Sequence, residues 1–173
     1  MRKKYEVFLP AHFARKWQFT TWLIEYDHGQ QRLSRLIPSS HENGTDAGES
    51  IPELVMLTQQ ALLAYLQKDW QKITAFLPRL QLELIGTQFQ VAVWQAIGRI
   101  TVGQTVTYQD LATEIGRPRA VRAVGSACAA NPFPFLIPCH RVVGSSGFGG
   151  YQYGLDLKRN LLDHEKIMDE NAT

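Results

Sequence analysis

Cysteine is scarce in this chain: 173 residues hold two, Cys128 and Cys139, and none lies in the first half. So few thiols exclude a disulfide scaffold and a structural zinc site built mainly on thiolates. Long apolar runs are missing too, and none approaches the roughly 20 residues of a membrane-spanning helix. The basic start Met1-Arg2-Lys3-Lys4 leads into an apolar stretch broken at Glu6 and ended at Pro10, shorter than a secretory signal requires. These absences predict a cytoplasmic, reducing setting with no membrane partner, where a cysteine is a thiol whose chemistry its neighbours decide. Charge of one sign is also lacking: 18 Lys and Arg stand against 16 Asp and Glu, a net +2. That is a weak pull towards a polyanion. At 45% hydrophobic and 20% charged, the composition is that of an ordinary globular protein of one medium or two small domains.

One local absence says more. Residues 116–141 contain no Asp or Glu but four arginines, Arg117, Arg119, Arg122 and Arg141. One-signed charge of this kind is either a nucleic-acid footprint or a solvated helix face.

Residues 1 to about 37 have the pattern of strands and turns. Phe19 to Tyr26 is rich in β-branched and aromatic residues, Asp27-His28-Gly29-Gln30 is a turn signal, and Gln31 to Ile37 is a return strand. Residues 38–49 are polar and predict a loop. Ser50 and Glu53 have capping-box spacing and predict a helix start, with Leu54, Ala61, Leu62 and Tyr65 at helical periodicity. Leu80, Leu82 and Leu84 alternate as in an edge strand or linker, and His12, His28 and His41 are isolated, with no metal-ligand spacing.

The second half is predicted helical. Thr87 and Gln90 form another capping box, before a stripe of Phe89, Ala92, Val93, Ala96 and Ile97. Thr107 caps a short helix, Gly116 ends it, and Pro118 suits the first turn of the next, whose buried stripe is Val121, Val124 and Cys128. This is a helix-turn-helix pattern whose second helix carries Arg119 and Arg122. Pro132, Pro134 and Pro138 predict a rigid, buried, extended segment leading to Cys139-His140-Arg141, and a glycine-rich loop follows. A last helix begins near Leu155 and turns Leu157, Leu161 and Leu162 inward. Glu165 falls on the same stripe, where a carboxylate needs a partner.

Cys139, His140 and Glu165 are the parts of an activated thiol: a nucleophile, a base and a carboxylate to orient the base. Neighbouring side chains on an extended segment point to opposite faces, so contact between Cys139 and His140 requires a turn or a bridging water. The alternative is a buried core cysteine followed by a structural histidine. Cys128, on an inward stripe, is predicted to be core.

Ile137-Pro138-Cys139-His140-Arg141-Val142-Val143 resembles the active-site motif of the O6-alkylguanine-DNA alkyltransferases, also called methylated-DNA–protein-cysteine methyltransferases. Gly86-Thr87-Gln88-Phe89-Gln90 resembles the opening of that family's DNA-binding domain. Val106 to Ala112 and Arg119 to Gly125 resemble its two helix-turn-helix helices, and Ala130-Asn131-Pro132 its asparagine hinge. Lys158 to Glu165 resembles its terminal K-x-x-L-L-x-x-E helix. The resemblance implies an α/β (α+β) fold. An N-terminal ribonuclease-H-like α/β domain would span residues 1–85, and a C-terminal winged-helix-like helix-turn-helix domain that binds DNA and accepts the alkyl group would span residues 86–173.

The implied activity is direct-reversal DNA repair. The alkyl group of O6-alkylguanine, and also of O4-alkylthymine, passes once to the Cys139 thiolate. His140 acts as base through a bridging water, Glu165 orients it, and Asn131 supports the site. Tyr108, Gln109, Arg117, Arg122 and Ser145 are the implied DNA-binding and base-flipping residues; Arg122 fills the vacated stack, and Tyr108 drives rotation of the target and helps protonate the leaving base. Val142, Tyr151 and Tyr153 line the implied guanine pocket. The implied partner is duplex DNA, bound through the minor groove by a monomer. Transfer to sulfur is a single displacement, so no cofactor and no metal is expected, and a stable thioether permits one turnover. A papain-like hydrolase would share Cys139 and His140 but turn over repeatedly. A DNA-binding lesion sensor would lack the acceptor cysteine.

Overall fold

A computed structural model of the chain describes residues 2–17, 19–39, 51–80 and 82–166. It divides into two compact units, residues 1–85 and 86–173.

The first unit carries an antiparallel sheet ordered β1-β2-β3, with β1 at Arg2–Phe8, β2 at Thr21–Asp27 and β3 at Arg32–Ser39. β2 is central and almost wholly buried, and its Ile24 pairs with Tyr5 on one side and Leu36 on the other. The predicted turn forms because the Asp27 carboxylate accepts from the backbone N–H groups of Gly29 (2.9 Å) and Gln30 (3.3 Å). The return strand runs on through Pro38, a position the sequence pattern assigns to a loop; proline is tolerated there because β3 pairs with β2 on only one flank at that point.

Two helices are not legible in the sequence: α1, Ala11–Trp17, starting from the Pro10 carbonyl, and α3, Trp70–Phe76, capped by Asp69. Between them lies α2, Glu53–Leu66, whose N-cap is Pro52 without a side-chain cap; Ser50 and His41 lie outside the described residues. Trp17, Trp22, Tyr65 and Leu62 form the core of this unit. Leu82 makes a single parallel bridge to Leu33, so the alternating leucines yield one rung rather than a strand. His28 accepts from or donates to the Tyr5 hydroxyl at 2.9 Å.

The second unit is mainly helical, and the two units together give the expected mixed α/β class. α4, Gln88–Gly98, begins at the Thr87/Gln90 capping box. Its buried face is centred on Val93, Trp94, Ala96 and Ile97, and the Trp94 indole donates to the Ala127 carbonyl at 2.8 Å. α5, Tyr108–Glu114, is capped by Thr107, reciprocated by Asp110. Gly116, at φ +69, closes it in the left-handed region. α6, Val121–Ala129, starts later than expected: Arg117 to Ala120 forms a turn (Ala120 N–H to Arg117 C=O, 2.8 Å), so Pro118 and Arg119 precede the helix.

After α6 the proline-rich segment is buried as expected but does not run extended. It folds back at Phe135, at φ +85, with the Ile137 N–H bonded to the Phe133 carbonyl at 2.8 Å. Two short parallel strands follow from tertiary pairing alone, β4 at Val106–Thr107 and β5 at Val142–Val143. They bring the start of α5 beside the segment that follows Cys139. α7, Leu155–Glu165, closes the unit. Among the described residues no helix is long and apolar enough to cross a membrane.

Candidate active site

Cys139, His140 and Arg141 form one turn of 3-10 helix, held by bonds from the Cys139 N–H to the Ile137 carbonyl (2.8 Å) and from the Arg141 N–H to the Pro138 carbonyl (2.9 Å). The turn replaces the alternation of an extended segment, but it brings Cys139 and His140 into no direct hydrogen bond, since His140 Nδ1 has no partner.

Asn131, just beyond α6, fastens this turn. Its side-chain amide donates to Cys139 Sγ at 3.1 Å and to the Ile137 carbonyl at 2.7 Å, and its oxygen accepts from the Phe133 N–H at 3.0 Å. Behind the cysteine, His140 is wholly buried and its Nε2 lies 2.7 Å from Glu165 Oε1. Glu165 is buried, as its place on the stripe predicts, and His140 is the expected partner.

A second partner is not foreseen by the sequence. Arg141 makes a bidentate pair with Glu165 (Nε to Oε2, 2.7 Å; NH2 to Oε1, 3.0 Å), and its remaining nitrogen donates to the Ile100 carbonyl at 2.5 Å. Arg141 therefore leaves the arginine footprint: it is a buried structural cation, and only Arg117, Arg119 and Arg122 stay exposed. Among the described residues those three form no ion pair.

The protonation states follow from these contacts. Burial alone would raise the pKa of Glu165, but hydrogen bonds and charge from His140 and Arg141 outweigh it and hold the carboxyl well below the usual range. An ionised carboxylate only accepts, so His140 Nε2 carries the proton and Nδ1 is the bare nitrogen. Nδ1 is buried with no hydrogen-bond partner. Burial lowers the His140 pKa more than Glu165 raises it, so the imidazole rests neutral. The Cys139 thiol is likewise pushed up to about 11 by burial, against the opposing pull of the Asn131 hydrogen bond, a backbone hydrogen bond and the Lys158 charge. The resting pair is a neutral thiol beside a neutral imidazole, not the preformed thiolate that the residue types suggest.

In front of Cys139 lies a cavity of about 370 Å³, lined by Tyr108, Val121, Arg122, Cys128 and Tyr151 among others. Cys128 is buried as predicted, yet it is also part of this wall, and burial pushes its thiol up to about 12. Of the three expected pocket residues, Tyr151 lines the cavity. Val142 is wholly buried behind it, and Tyr153 packs edge-on against Tyr151 at 5.7 Å between ring centroids. Tyr108 closes one side, its hydroxyl donating to the Gly150 carbonyl at 3.0 Å. Gly149 packs against the Tyr108 ring: a Cβ there would stand 2.6 Å from the ring edge, and its φ of +66 is strained for other residues. Ser145 is exposed on the same loop, outside the cavity lining. Gln109 is exposed too, but its amide spans the helix-turn-helix turn to the Pro118 carbonyl at 3.0 Å.

Lys158 is the residue whose role the sequence does not disclose. It is wholly buried, and its ammonium donates to the carbonyls of Val142 (2.6 Å), Phe148 (2.5 Å) and Gly150 (3.1 Å). The signal is present in its spacing, since 158, 161, 162 and 165 are i, i+3, i+4 and i+7 on one helix face.

The family model for the DNA-binding domain of 6-O-methylguanine DNA methyltransferase matches residues 88–167. A probable methylated-DNA–protein-cysteine methyltransferase of Acanthamoeba polyphaga mimivirus is 51% identical over 104 residues, 60% of this chain and 70% of that protein. The chain belongs to the methylated-DNA–protein-cysteine methyltransferase family. The inducible methylated-DNA–protein-cysteine methyltransferase of Bacillus subtilis is 53% identical over 85 residues, 49% of this chain and 48% of that one. The similarity extends beyond the matched region: the crystal structure of Mycobacterium tuberculosis OGT in complex with DNA superposes with a TM-score of 0.71 at 31% identity, covering 94% of this chain and 92% of that one.

Proposed function

We propose that this protein repairs alkylated DNA by direct reversal, taking the alkyl group of O6-alkylguanine onto Cys139 Sγ once per molecule. The observation that carries this reading is the position of Cys139: its sulfur accepts a hydrogen bond from Asn131, it lines the cavity in front, and the unpartnered Nδ1 of its neighbour His140 lies buried behind.

The proton of the resting thiol passes through a water to His140 Nδ1, and the ionised Glu165 stabilises the imidazolium that forms. Sulfur then attacks the alkyl carbon, the S–C bond forms as the C–O bond breaks, and the electron pair stays on the guanine oxygen. The departing base takes up the proton that the thiol gave to His140, delivered by way of the Tyr108 hydroxyl in the cavity wall. The product is a thioether, a poor leaving group, so the thiol is not regenerated.

A base inside a duplex cannot reach Cys139, so the target is flipped into the cavity. Arg122, exposed at the cavity wall, fills the space it leaves. The other exposed residues of α6 are Ala123, Ser126 and Ala129, which are short and carry little that reads base edges. A helix of this kind suits close approach to a narrow minor groove rather than major-groove readout. We assign binding to a monomer on that side of the duplex, with O4-alkylthymine as a second substrate. Arg117 and Arg119 supply phosphate contacts.

The test is incubation with duplex DNA carrying radiolabelled O6-methylguanine. At most one methyl group per protein is expected, on Cys139, with Cys128 unlabelled. Repeated turnover, or label on Cys128, overturns the reading.

A further inference from the structure

Alkyl transfer uses one of the two thiols in the cavity wall. The other, Cys128, comes from the inward edge of α6, and the two cysteines are joined through a single residue. The Asn131 N–H donates to the Cys128 carbonyl at 3.3 Å, while the Asn131 side chain donates to Cys139 Sγ at 3.1 Å. Both residues line the same cavity. Charge on Cys139 also opposes ionisation of Cys128.

We propose that Cys128 and Cys139 form a two-thiol site for trivalent arsenicals, bridged by one arsenic(III) centre inside the cavity. In the condensation an organoarsenic(III) oxide gives up its oxygen. Two As–S bonds form, the As–O bond breaks, and the two thiol protons leave with that oxygen as water. Arsenic stays trivalent, so no oxidant or reductant is required. A disulfide would demand sulfur contact at about 2.05 Å. An arsenic bridge places an atom between the sulfurs, so the thiols need only reach a common space, and both cysteines line one cavity.

The protonation states are compatible with this ligand class. Simple alkylating agents react with thiolate, whose population is small when burial holds both thiols far above neutral pH. The condensation consumes the protonated form and releases water. The cavity, with Val121 and the rings of Tyr108 and Tyr151 in its wall, has room for an aryl group on the arsenic. A bridge would occupy the acceptor sulfur and block repair; this consequence alone rests on the function proposed above.

The test uses phenylarsine oxide and the full chain, read by intact-protein mass spectrometry. One phenylarsine is expected per protein, with loss of one water, displaced by 2,3-dimercaptopropanol but not by an equivalent monothiol. Cys128→Ala should weaken retention on the order of 100-fold, because the second bond forms at an effective concentration set by the cavity. Cys128→Ser, checked for its helical circular dichroism, serves as a second variant that also lacks the thiol. Equal retention by wild type and either folded variant overturns the site, as does release by monothiol alone. The binding measurement needs no alkyl transfer. A protein that holds the arsenical but accepts no methyl group would overturn the repair reading and leave the site standing.

Discussion

The amide of Asn131 is the only side chain among the described residues that donates to Cys139 Sγ, and that bond lowers a thiol pKa which burial has already raised to about 11. Asn131→Ala should therefore move the thiolate titration upward, followed by thiolate ultraviolet absorbance. At fixed pH, transfer should slow about tenfold for every pH unit by which the titration midpoint rises. The same change frees two buried backbone groups and should lower stability by about 1–3 kcal/mol. A titration that stays in place while stability falls would confine Asn131 to holding the turn. Single residues are unevenly legible in the sequence. Glu165 can be found because a carboxylate on a leucine stripe needs a partner. Arg141 groups with the exposed arginines by sequence alone, because its burial depends on Glu165 and the Ile100 carbonyl, distant along the chain. Lys158 is half legible: its spacing from Leu161 and Glu165 marks the buried face, but its three acceptors are main-chain atoms that no side-chain pattern reveals.

At the scale of the element, α7 delivers Glu165 to both His140 and Arg141, so a substitution there acts twice. Glu165→Gln weakens support for a charged His140 and also leaves the buried Arg141 guanidinium without its counter-ion. Removing one partner of a buried pair costs about 3–5 kcal/mol, and that is the loss expected at neutral pH, measured by urea unfolding. The sign with pH follows from the depressed carboxyl. Its stabilisation is fully present above the ordinary value of 4.5 and is lost as pH falls from there through the lower folded-state value. The gap between wild type and Glu165→Gln should narrow below about pH 4.5. A gap that stays constant down to about pH 3 would mean that the carboxyl is not held ionised. The long helices α2, α4 and α7 are visible as periodic stripes. The seven-residue α1 and α3 are not: two turns fall short of the window in which a helical period separates from chance, and neither carries the capping box and closing glycine that reveal the equally short α5. The β4–β5 pair is hidden because its register, Val106 against Val142, is set between segments far apart in the chain.

At the scale of the molecule, net charge is small, and among the described residues of the second unit the exposed cations without an ion pair are Arg117, Arg119 and Arg122. Equilibrium binding to undamaged duplex should weaken with salt. Arg117→Ala and Arg119→Ala should each reduce the slope of log affinity against log salt by about 0.9. Arg122→Ala should instead slow repair of duplex far more than reaction with free O6-methylguanine, because only the duplex bears the unstacking cost of a few kcal/mol. Equal slowing on both substrates would make Arg122 an organiser of the cavity. The proposed machinery falls entirely within residues 86–166, where ordered motifs make the sequence most informative. The first unit offers packing patterns but no chemical constellation, so its sheet is legible and its connections are not.

Lys158 clasps the glycine-rich loop through carbonyl oxygens, atoms that every amino acid supplies. The shape of that loop is thus largely indifferent to the identity of Ser145 and Ser146, whose side chains are exposed. It depends instead on one distant lysine and on the absence of a side chain at position 149. The stretch leading into the cavity wall is one whose spelling can drift while its backbone stays put, so that Gly150 and Tyr151 keep their place in the wall whatever side chains stand at positions 145 and 146.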